Sequence, residues 1–266
     1  MIVQLLQAGA RSLLGLCLTA EHLLAFQTYY EELAAWNERF NLTTIIGQRD
    51  VQIKHFLDSL TCLLALPADT AAFDGALPDT VPISTELRAL SCVDVGTGAG
   101  FPGVPLKIVR PEIRLTLVES TAKKATFLRH VVERLALSDV EIVNARAEDL
   151  GHEPRYREQY DLVLARAVAR LPTLAEYCLP LCKVGGRFVA QKGSEARAEL
   201  EDAGRAIELL GGRLQDVKEI HIAEIAQHRY LISVGKVRST PSQYPRRSGI
   251  PSKRPLLQAH GQDAAN

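Results

Sequence analysis

The chain is poor in aromatic residues and in sulfur. Phe, Trp and Tyr make up 6% of its 266 residues, with one Trp and one Met. The five cysteines are an odd number and include no Cys-x-x-Cys pair, which indicates neither a disulfide framework nor a zinc site. Cys178 and Cys182 lie four residues apart on a predicted helix, where we expect them to fill the core. We therefore predict a cytoplasmic protein without a bound metal.

Long apolar runs are also missing. The N-terminus is apolar, but Arg11 interrupts it and no basic segment precedes it, which favours an amphipathic helix over a signal peptide. No run reaches the roughly 18 apolar residues of a membrane span, so we expect no membrane partner. With 47% hydrophobic and 23% charged residues, the composition is typical of a globular chain with one sizeable core and appendages.

Charge is balanced overall but not along the chain. Residues 225–262 contain seven basic residues and no acid, whereas residues 1–224 contain 24 basic and 30 acidic ones. The basic end either meets a polyanion or is a tail kept soluble by its charge, and charge alone leaves both interpretations open.

Strand and helix patterns alternate through the middle of the chain. This alternation predicts an α/β protein with a mostly parallel sheet, and the last two strands form an antiparallel pair at one edge. Strands are predicted at 92–95, 114–119, 140–144, 161–164, 186–191, 214–222 and 230–237, and helices around 104–110, 122–136, 171–182 and 194–210.

The predicted domain organisation has four parts. Residues 1–66 form an N-terminal helical extension, with helices at 21–38 and at 50–66, the second capped by Asp50. The other parts are a linker or insertion at 67–89, the α/β domain at 90–237, and a basic tail at 238–266, which its Pro and Ser content predicts to be disordered from Ser239.

A glycine-rich loop follows the first strand of the α/β domain, in the stretch VDVGTGAGFPGVPLKIV, residues 93–109. Gly98 to Gly103 match GxGxxG, but the strand ends earlier, at Gly96, and Pro102 stands where a dinucleotide-binding helix would run. No Lys-Ser/Thr follows, which excludes a P-loop. The better parse is Asp94-x-Gly96-x-Gly98-x-Gly100, which resembles the first motif of class I S-adenosylmethionine-dependent methyltransferases, with backbone lying close to the cofactor.

Two later positions test this parse. Glu119 ends the second strand, where a carboxylate can accept both ribose hydroxyls, of NAD as well as of S-adenosylmethionine. Glu148 and Asp149 follow the third strand, where a carboxylate can accept from the adenine amine. This third position favours a methyltransferase, although both acids could simply begin a polar loop.

The stretch after the fourth strand bears on the methylated atom. Leu164-Ala-Arg166-Ala-Val168 lacks the Asp/Asn-Pro-Pro-aromatic signature of amine methylation, and no cysteine has the Pro-Cys context of cytosine C5 methylation. No well-placed general base is evident. Guanine N7 has an in-plane lone pair and no proton to remove, so it would need positioning alone.

The chain is similar to the bacterial 16S ribosomal RNA guanine-N7 methyltransferases. This family is also called methyltransferase G or the glucose-inhibited division protein B family. The similarity covers about residues 20–237, and its most specific string is GFPGxPL after the glycine loop. The residues that carry it are Trp36-Asn37, Asn41-Leu42-Thr43, Lys54 to Ser59, VDVGTGAGFPGVPLKI, Glu119-Ser120-Thr121, Lys123-Lys124, Phe127-Leu128, Ala165-Arg166-Ala167, Lys192-Gly193 and His228-Arg229.

This resemblance implies the class I, Rossmann-like fold with a seven-stranded sheet and an N-terminal helical extension. It implies methyl transfer from S-adenosylmethionine to N7 of a guanine in the 530-region loop of 16S rRNA, with the small subunit or its precursor as partner; we expect a monomer. The cofactor positions, with Asp94 and Gly98 added from the loop, would be Asp94, Gly96, Gly98, Phe101, Glu119, Ser120, Thr121, Ala147, Glu148 and Arg166. No catalytic residue is predicted.

Roles for several basic and polar residues stay open. Arg166 could bind the methionine carboxylate or RNA, or pair with an acid such as Glu148. We expect His55 and Asp58 to form a local hydrogen-bonded pair that docks the N-terminal helices, with catalysis as the alternative role. Candidate RNA contacts are the tail and Lys123, Lys124, Lys192 and Arg229, although each could equally be a solvated surface residue.

Two other function classes compete with this prediction. An NAD-dependent oxidoreductase would use the Gly98 register, with Lys192 as the proton relay. A ribosome-binding factor without catalysis would keep the fold but would not need the acids.

Overall fold

The computed structural model describes residues 3–66, 90–223, 225 and 228–257. Its centre is a single sheet of seven strands. In chain order these are β1 Ser91–Val95, β2 Arg114–Val118, β3 Val140–Val143, β4 Tyr160–Arg166, β5 Cys182–Lys192, β6 Gly212–Ile220 and β7 Arg229–Lys236.

The spatial order of the strands is β3-β2-β1-β4-β5-β7-β6. Neighbours from β3 to β5 pair in parallel, and β7 pairs antiparallel with both β5 and β6. This confirms the predicted sheet and its antiparallel edge pair. The chain order reverses between β1 and β4, which is where open α/β sheets form their ligand crevice.

Helices cover both faces of the sheet. They are α5 Gly103–Val109, α6 Ala122–Arg134, α7 Ala147–Leu150, α8 Leu171–Cys178 and α9 Ala196–Leu209. Side chains alternate along β4, so Leu162 and Leu164 join the apolar cluster of α5 and α6, while Val163 and Ala165 join that of α8 and α9. The prediction of one helix across 171–182 was wrong, because Cys178 ends α8 and Cys182 begins β5; both are buried.

The N-terminal extension is helical. Helix α1 (Gln4–Leu14) buries Leu6, Ala10 and Leu14 on one side, and α2 spans Ala20–Phe40. The third helical segment starts with α3 (Gln48–Asp50), continues as a π-helix at Val51–Leu57 and α4 (Asp58–Leu60), and ends as a 3₁₀ turn at Thr61–Ala65. Asp50 is therefore not its cap, because the segment begins two residues earlier and the Asp50 side chain makes no capping bond.

Up to residue 257 the basic tail makes defined contacts with the α/β domain, so the prediction of disorder from Ser239 was wrong for this part. Arg157 donates to the backbone carbonyls of Thr240 and Tyr244, each at 2.8 Å. Arg246 contacts the fully buried Glu176 at 2.6 Å, and a short helix, α10, spans Ile250–Lys253. The composition of the tail did not reveal these partners, which lie in the α/β domain.

The predicted insertion at 67–89 lies outside the described residues, and the domain boundaries stay predictions. Within the described ranges, no helix combines the length and apolar character needed to cross a membrane.

Candidate active site

The glycine loop lies at the carboxyl end of β1, and three of its glycines have left-handed backbone. Their φ angles are +68° at Gly96, +63° at Gly98 and +104° at Gly100. A Cβ at Gly96 would lie 2.6 Å from the side chain of Val168, and one at Gly100 would lie 2.5 Å from the Tyr29 hydroxyl. A Cβ at Gly98 would meet nothing within 4 Å, so the loop opens to a ligand at Gly98.

Asp94 lies beneath this loop, completely buried. Its Oδ2 accepts hydrogen bonds from the Thr97 hydroxyl at 2.5 Å and from the Gly103 backbone N–H at 2.8 Å. Its Oδ1 is buried without a hydrogen-bond partner among the described residues. Burial raises the pKa of Asp94 to about 6, and the two hydrogen bonds and Arg166 oppose that rise. The sequence predicted this acid to bind loop amides, and Gly103 is such an amide.

Glu119 follows β2 and contacts the same loop. Its Oε2 accepts from the Gly98 backbone N–H at 3.0 Å, and its Oε1 accepts from the Thr121 backbone N–H at 2.7 Å. Ser120 between them is exposed, and Thr121 precedes α6. Glu119 therefore links the glycine loop to the start of α6, and cofactor binding by Glu119, Ser120 and Thr121 stays a prediction.

Ala147 and Glu148 begin α7, after β3. The Glu148 carboxylate is buried and accepts from the Gly249 backbone N–H at 2.9 Å, while Asp149 accepts from the Ser248 hydroxyl at 3.0 Å. The C-terminal segment thus donates one hydrogen bond to each of the two acids that were expected near the adenine. Binding of adenine by Glu148 stays a prediction.

Arg166, the last residue of β4, pairs with an acid, but with Asp58 and not with Glu148. Its Nη1 lies 3.1 Å from Asp58 Oδ2, and its Nη2 donates to His55 Nδ1 at 3.2 Å. On the other side of the same carboxylate, Arg229 Nε lies 3.5 Å from Asp58 Oδ1. Burial raises the pKa of Asp58, and the two guanidinium groups oppose that rise.

His55 and Asp58 are joined through Arg166, not by the direct bond that the sequence predicted. Because His55 Nδ1 accepts from Arg166, its Nε2 carries the proton and donates to Thr43 Oγ1 at 2.9 Å. Burial, followed by the Arg166 charge, lowers the pKa of His55 to about 3. The ring is therefore neutral at neutral pH and already bonded at both nitrogens.

Phe101 connects this network to the glycine loop. Its ring stacks on His55 with centroids 4.3 Å apart and 12° between the planes, and the Arg166 guanidinium lies 5.1 Å from its centroid. On the loop side, the Tyr29 hydroxyl donates to the Ala99 carbonyl at 2.5 Å. The N-terminal helices thus support the loop directly.

A cavity of about 420 Å³ lies beside this network, at the carboxyl ends of β4 and β5. Arg166 at the end of β4 and Ala167 after it line the cavity on one side, and Gln191 and Lys192 line it from β5. Lys192 is held in a buried ion pair with Glu199 at 2.7 Å, so it is not a free phosphate contact. Most of the predicted cofactor positions therefore lie at the ends of β1 to β3, whereas Arg166 lies at the end of β4 and lines the cavity.

Sequence reasoning missed Gln191, Thr43 and Asn37 as site residues. Asn37 Oδ1 accepts from the Thr43 backbone N–H at 2.8 Å, and Thr43 in turn contacts His55. Asn37 and Thr43 stood among the family-type residues, which was a usable signal. Gln191 had no local signal, because its partners Asp58 and Thr61 lie in the N-terminal extension.

One group of metal-binding side chains occurs in the described part of the chain, although no metal was predicted. Glu219, His221 and His228 bring their ligand atoms within 4.8 Å of one another. All three are exposed, and Glu219 is bonded to His228 and lies 3.6 Å from Arg197. Glu219 is therefore already bonded to other side chains of the chain.

Comparison with known proteins gives consistent matches. A family model described as rRNA small subunit methyltransferase G matches residues 76–230. The protein named ribosomal RNA small subunit methyltransferase G from Pelotomaculum thermopropionicum is 46% identical over 255 residues, 96% of this chain and 99% of that protein. Its namesake from Roseiflexus sp. (strain RS-1) is 48% identical over 242 residues, 91% and 95% of the two chains.

One solved structure, MtNAS in complex with MTA and tNA, matches with a TM-score of 0.51 and 16% identity. It covers 80% of this chain and 71% of that chain. At this identity the likeness concerns the fold alone.

Proposed function

The chain belongs to the rRNA small subunit methyltransferase G family, and we propose that it transfers a methyl group from S-adenosylmethionine to N7 of a guanine in the 530-region loop of 16S rRNA. Methylation of small-subunit ribosomal RNA follows from the family; the atom and the loop are our proposal. The strand order of the sheet and the family together confirm the predicted class I methyltransferase fold. The family also confirms S-adenosylmethionine as the cofactor.

The glycine loop fits this cofactor. At Gly98 a ligand can lie directly against the backbone, because no atom occupies the space that a Cβ would fill. The Asp94 carboxylate beneath the loop places a negative charge near the expected position of a ligand with ammonium and sulfonium groups. Glu119 still has lone pairs for ribose hydroxyls, since its two oxygens accept only one described backbone bond each.

The observation that carries the N7 assignment is the state of the acid–base groups beside the cavity. His55 is neutral with both nitrogens bonded, Asp58 lies between two arginines, and Glu199 is paired with Lys192. None of these buried groups is free to remove a proton, and the other carboxylate that lines the cavity, Glu195, is exposed. A target atom that carries no proton requires none of them to do so.

S-adenosylmethionine supplies an electrophilic methyl group when bound. The residues of the chain then have a positioning task, which is to hold guanine N7 in line with that group and to exclude water. Phe101 and Arg166 lie between the glycine loop and the cavity, so they would border the path of transfer. We propose that this reaction takes place in the cytoplasm, where the ribosome is. That the protein is a monomer stays a prediction.

Methyl transfer to small subunits from a strain that lacks this enzyme tests the proposal. Mass spectrometry of nuclease fragments should show 7-methylguanosine in the 530-region loop. A methyl group on another base, on another atom of guanine or in another loop would refute the assignment. An Arg166→Met variant should lose most transfer, because its guanidinium organises His55 and Asp58.

A further inference from the structure

The side chain of Gln191 has one end bonded and one end free. Its Nε2 donates to the Asp58 backbone carbonyl at 2.6 Å and to Thr61 Oγ1 at 3.0 Å. A backbone carbonyl only accepts, so these contacts fix which end of the amide faces the N-terminal extension. The Oε1 atom is buried and has no hydrogen-bond partner among the described residues.

An unpartnered buried acceptor is costly unless something donates to it. Gln191 is 5% exposed and lines the cavity at the end of β5. It is also the direct register partner of Arg166 on β4, so the two residues stand side by side on neighbouring strands. The cavity therefore borders a preoriented acceptor one strand beyond the arginine, and a ligand that reaches this oxygen must displace the atoms that cover it.

We propose that this cavity receives the target guanine and that Gln191 Oε1 accepts a hydrogen bond from the N1–H or the N2 amine of the base. The inference rests on the proposed function, and it names a residue that selects the base. In a purine ring system N7 and the N1/N2 edge lie on opposite sides. A base whose N7 faces the cofactor loop after β1 thus turns its N–H donors toward β5, where Gln191 stands.

This acceptor also discriminates between purines. Guanine presents N1–H and an N2 amine on that edge, whereas adenine presents an unprotonated N1 and no N2 amine. An adenine in the cavity would leave Gln191 Oε1 unpaired if held in the same orientation. A site that forms a hydrogen bond to a substrate group strongly rejects an analogue without that group. A site that recognises only the shape of the substrate discriminates much less.

Base analogues test the contact from the substrate side. Small subunits are reconstituted with 16S RNA that carries guanosine, inosine or 2-aminopurine riboside at the target position. Inosine lacks the N2 amine, and 2-aminopurine lacks the N1 proton. For the wild-type chain we expect kcat/KM to fall about 10-fold to 100-fold with at least one analogue.

Three variants complete the experiment. Gln191→Met removes the acceptor, so its kcat/KM should differ less than about threefold between guanosine and the analogue that the wild type rejects. Thr61→Val removes a partner of Nε2 but leaves Oε1 in place, and it should discriminate as the wild type does. Gln215→Met makes the same change at an exposed position of β6 and should alter nothing. Binding of S-adenosylhomocysteine by each variant checks that the cofactor half is intact.

The outcomes separate the two claims. If the wild type forms no 7-methylguanosine on the guanosine subunits, the proposed function fails and the inference fails with it. Two other outcomes overturn the Gln191 contact alone, provided that the wild type does form 7-methylguanosine. In the first, the wild type has the same kcat/KM with both analogues as with guanosine. In the second, kcat/KM of Gln191→Met falls with the analogues by the same factor as that of the wild type.

Discussion

The Glu119 carboxylate and the Gly98 backbone N–H form a hydrogen bond of 3.0 Å that joins the end of β2 to the glycine loop after β1. The two residues were assigned to cofactor binding from separate motifs. Their contact shows that the acid shapes the loop in addition to any contact with a ribose. Since the second oxygen of Glu119 accepts from Thr121, a single carboxylate fixes two backbone segments of the site.

Glu119→Gln should therefore weaken cofactor binding. The Gly98 and Thr121 donors bond different oxygens of Glu119, and a carboxamide replaces one of these oxygens by an NH₂ group, which would face one of the two donors. We expect the Kd for S-adenosylhomocysteine, measured by titration calorimetry, to rise about 10-fold to 100-fold. Glu133→Gln makes the same change at an exposed position of α6 and is the control. Equal affinities in the two variants would show that Glu119 is dispensable.

Gly98→Ala tests whether the space beside Gly98 is needed by the cofactor or whether only the backbone conformation of the loop matters. Alanine at φ +63° costs roughly 1–2 kcal/mol in backbone strain, but no protein atom obstructs the new methyl group. We expect folding to survive and S-adenosylhomocysteine affinity to fall at least about tenfold, because the methyl group fills the ligand side of the loop. Gly185→Ala carries similar strain at φ +88° in equally open space, within β5. A similar loss of affinity in both variants would assign the effect to strain alone.

The raised pKa of Asp94 predicts a pH dependence of stability. Between pH 4 and pH 6 the folded state binds a proton at Asp94 that the unfolded chain does not bind, so this group lowers the free energy of unfolding as pH rises through that window. A rise from 3.8 to about 6 corresponds to about 3 kcal/mol in total. Asp94→Asn abolishes this titration while keeping an acceptor for Thr97 and Gly103.

Urea unfolding at steps from pH 4 to pH 7 measures the effect. The stability of Asp94→Asn relative to the wild type should increase with pH by up to about 3 kcal/mol and then level off above pH 6. The exposed Asp216→Asn variant should show no such trend. A difference between Asp94→Asn and the wild type that stays constant with pH would mean that the Asp94 pKa is not raised.

The sequence predicted the sheet well because its signals are local. Apolar runs bounded by turn residues locate strands within a few residues, and the acids at the ends of β2 and β3 follow directly from those boundaries. The partners of Arg166 could not be read in this way, since Asp58 lies 108 residues earlier in the chain and is brought to β4 by the packing of the N-terminal helices. The free end of Gln191 depends on the same packing.

The C-terminal segment shows the opposite error, in which composition pointed to disorder and long-range contacts decided otherwise. Arg246 is held to the buried Glu176 by three hydrogen bonds from its guanidinium and one from its backbone N–H. Arg246→Met should lower the free energy of unfolding by about 2–4 kcal/mol, because it leaves a buried carboxylate unpaired. The double variant Arg246→Met/Glu176→Gln should recover part of that loss in urea unfolding. No recovery would mean that the pair is not the source of the stabilisation.

Removing the basic segment by truncation at Ser239 would not test RNA binding alone. The truncation would also remove Arg246, which is paired with the buried Glu176, and so would destabilise the fold. The exposed Arg247, Lys253 and Arg254 offer a sharper test of the basic segment. Their joint replacement by Gln should weaken binding to small-subunit RNA and make the slope of log K against log salt shallower by up to about 2–3, since each phosphate contact contributes about 0.7–0.9. Equal charge loss at the exposed Arg129, Arg205 and Arg213 is the control. If the two triple variants share one slope, the C-terminal charges serve solvation and not RNA recognition.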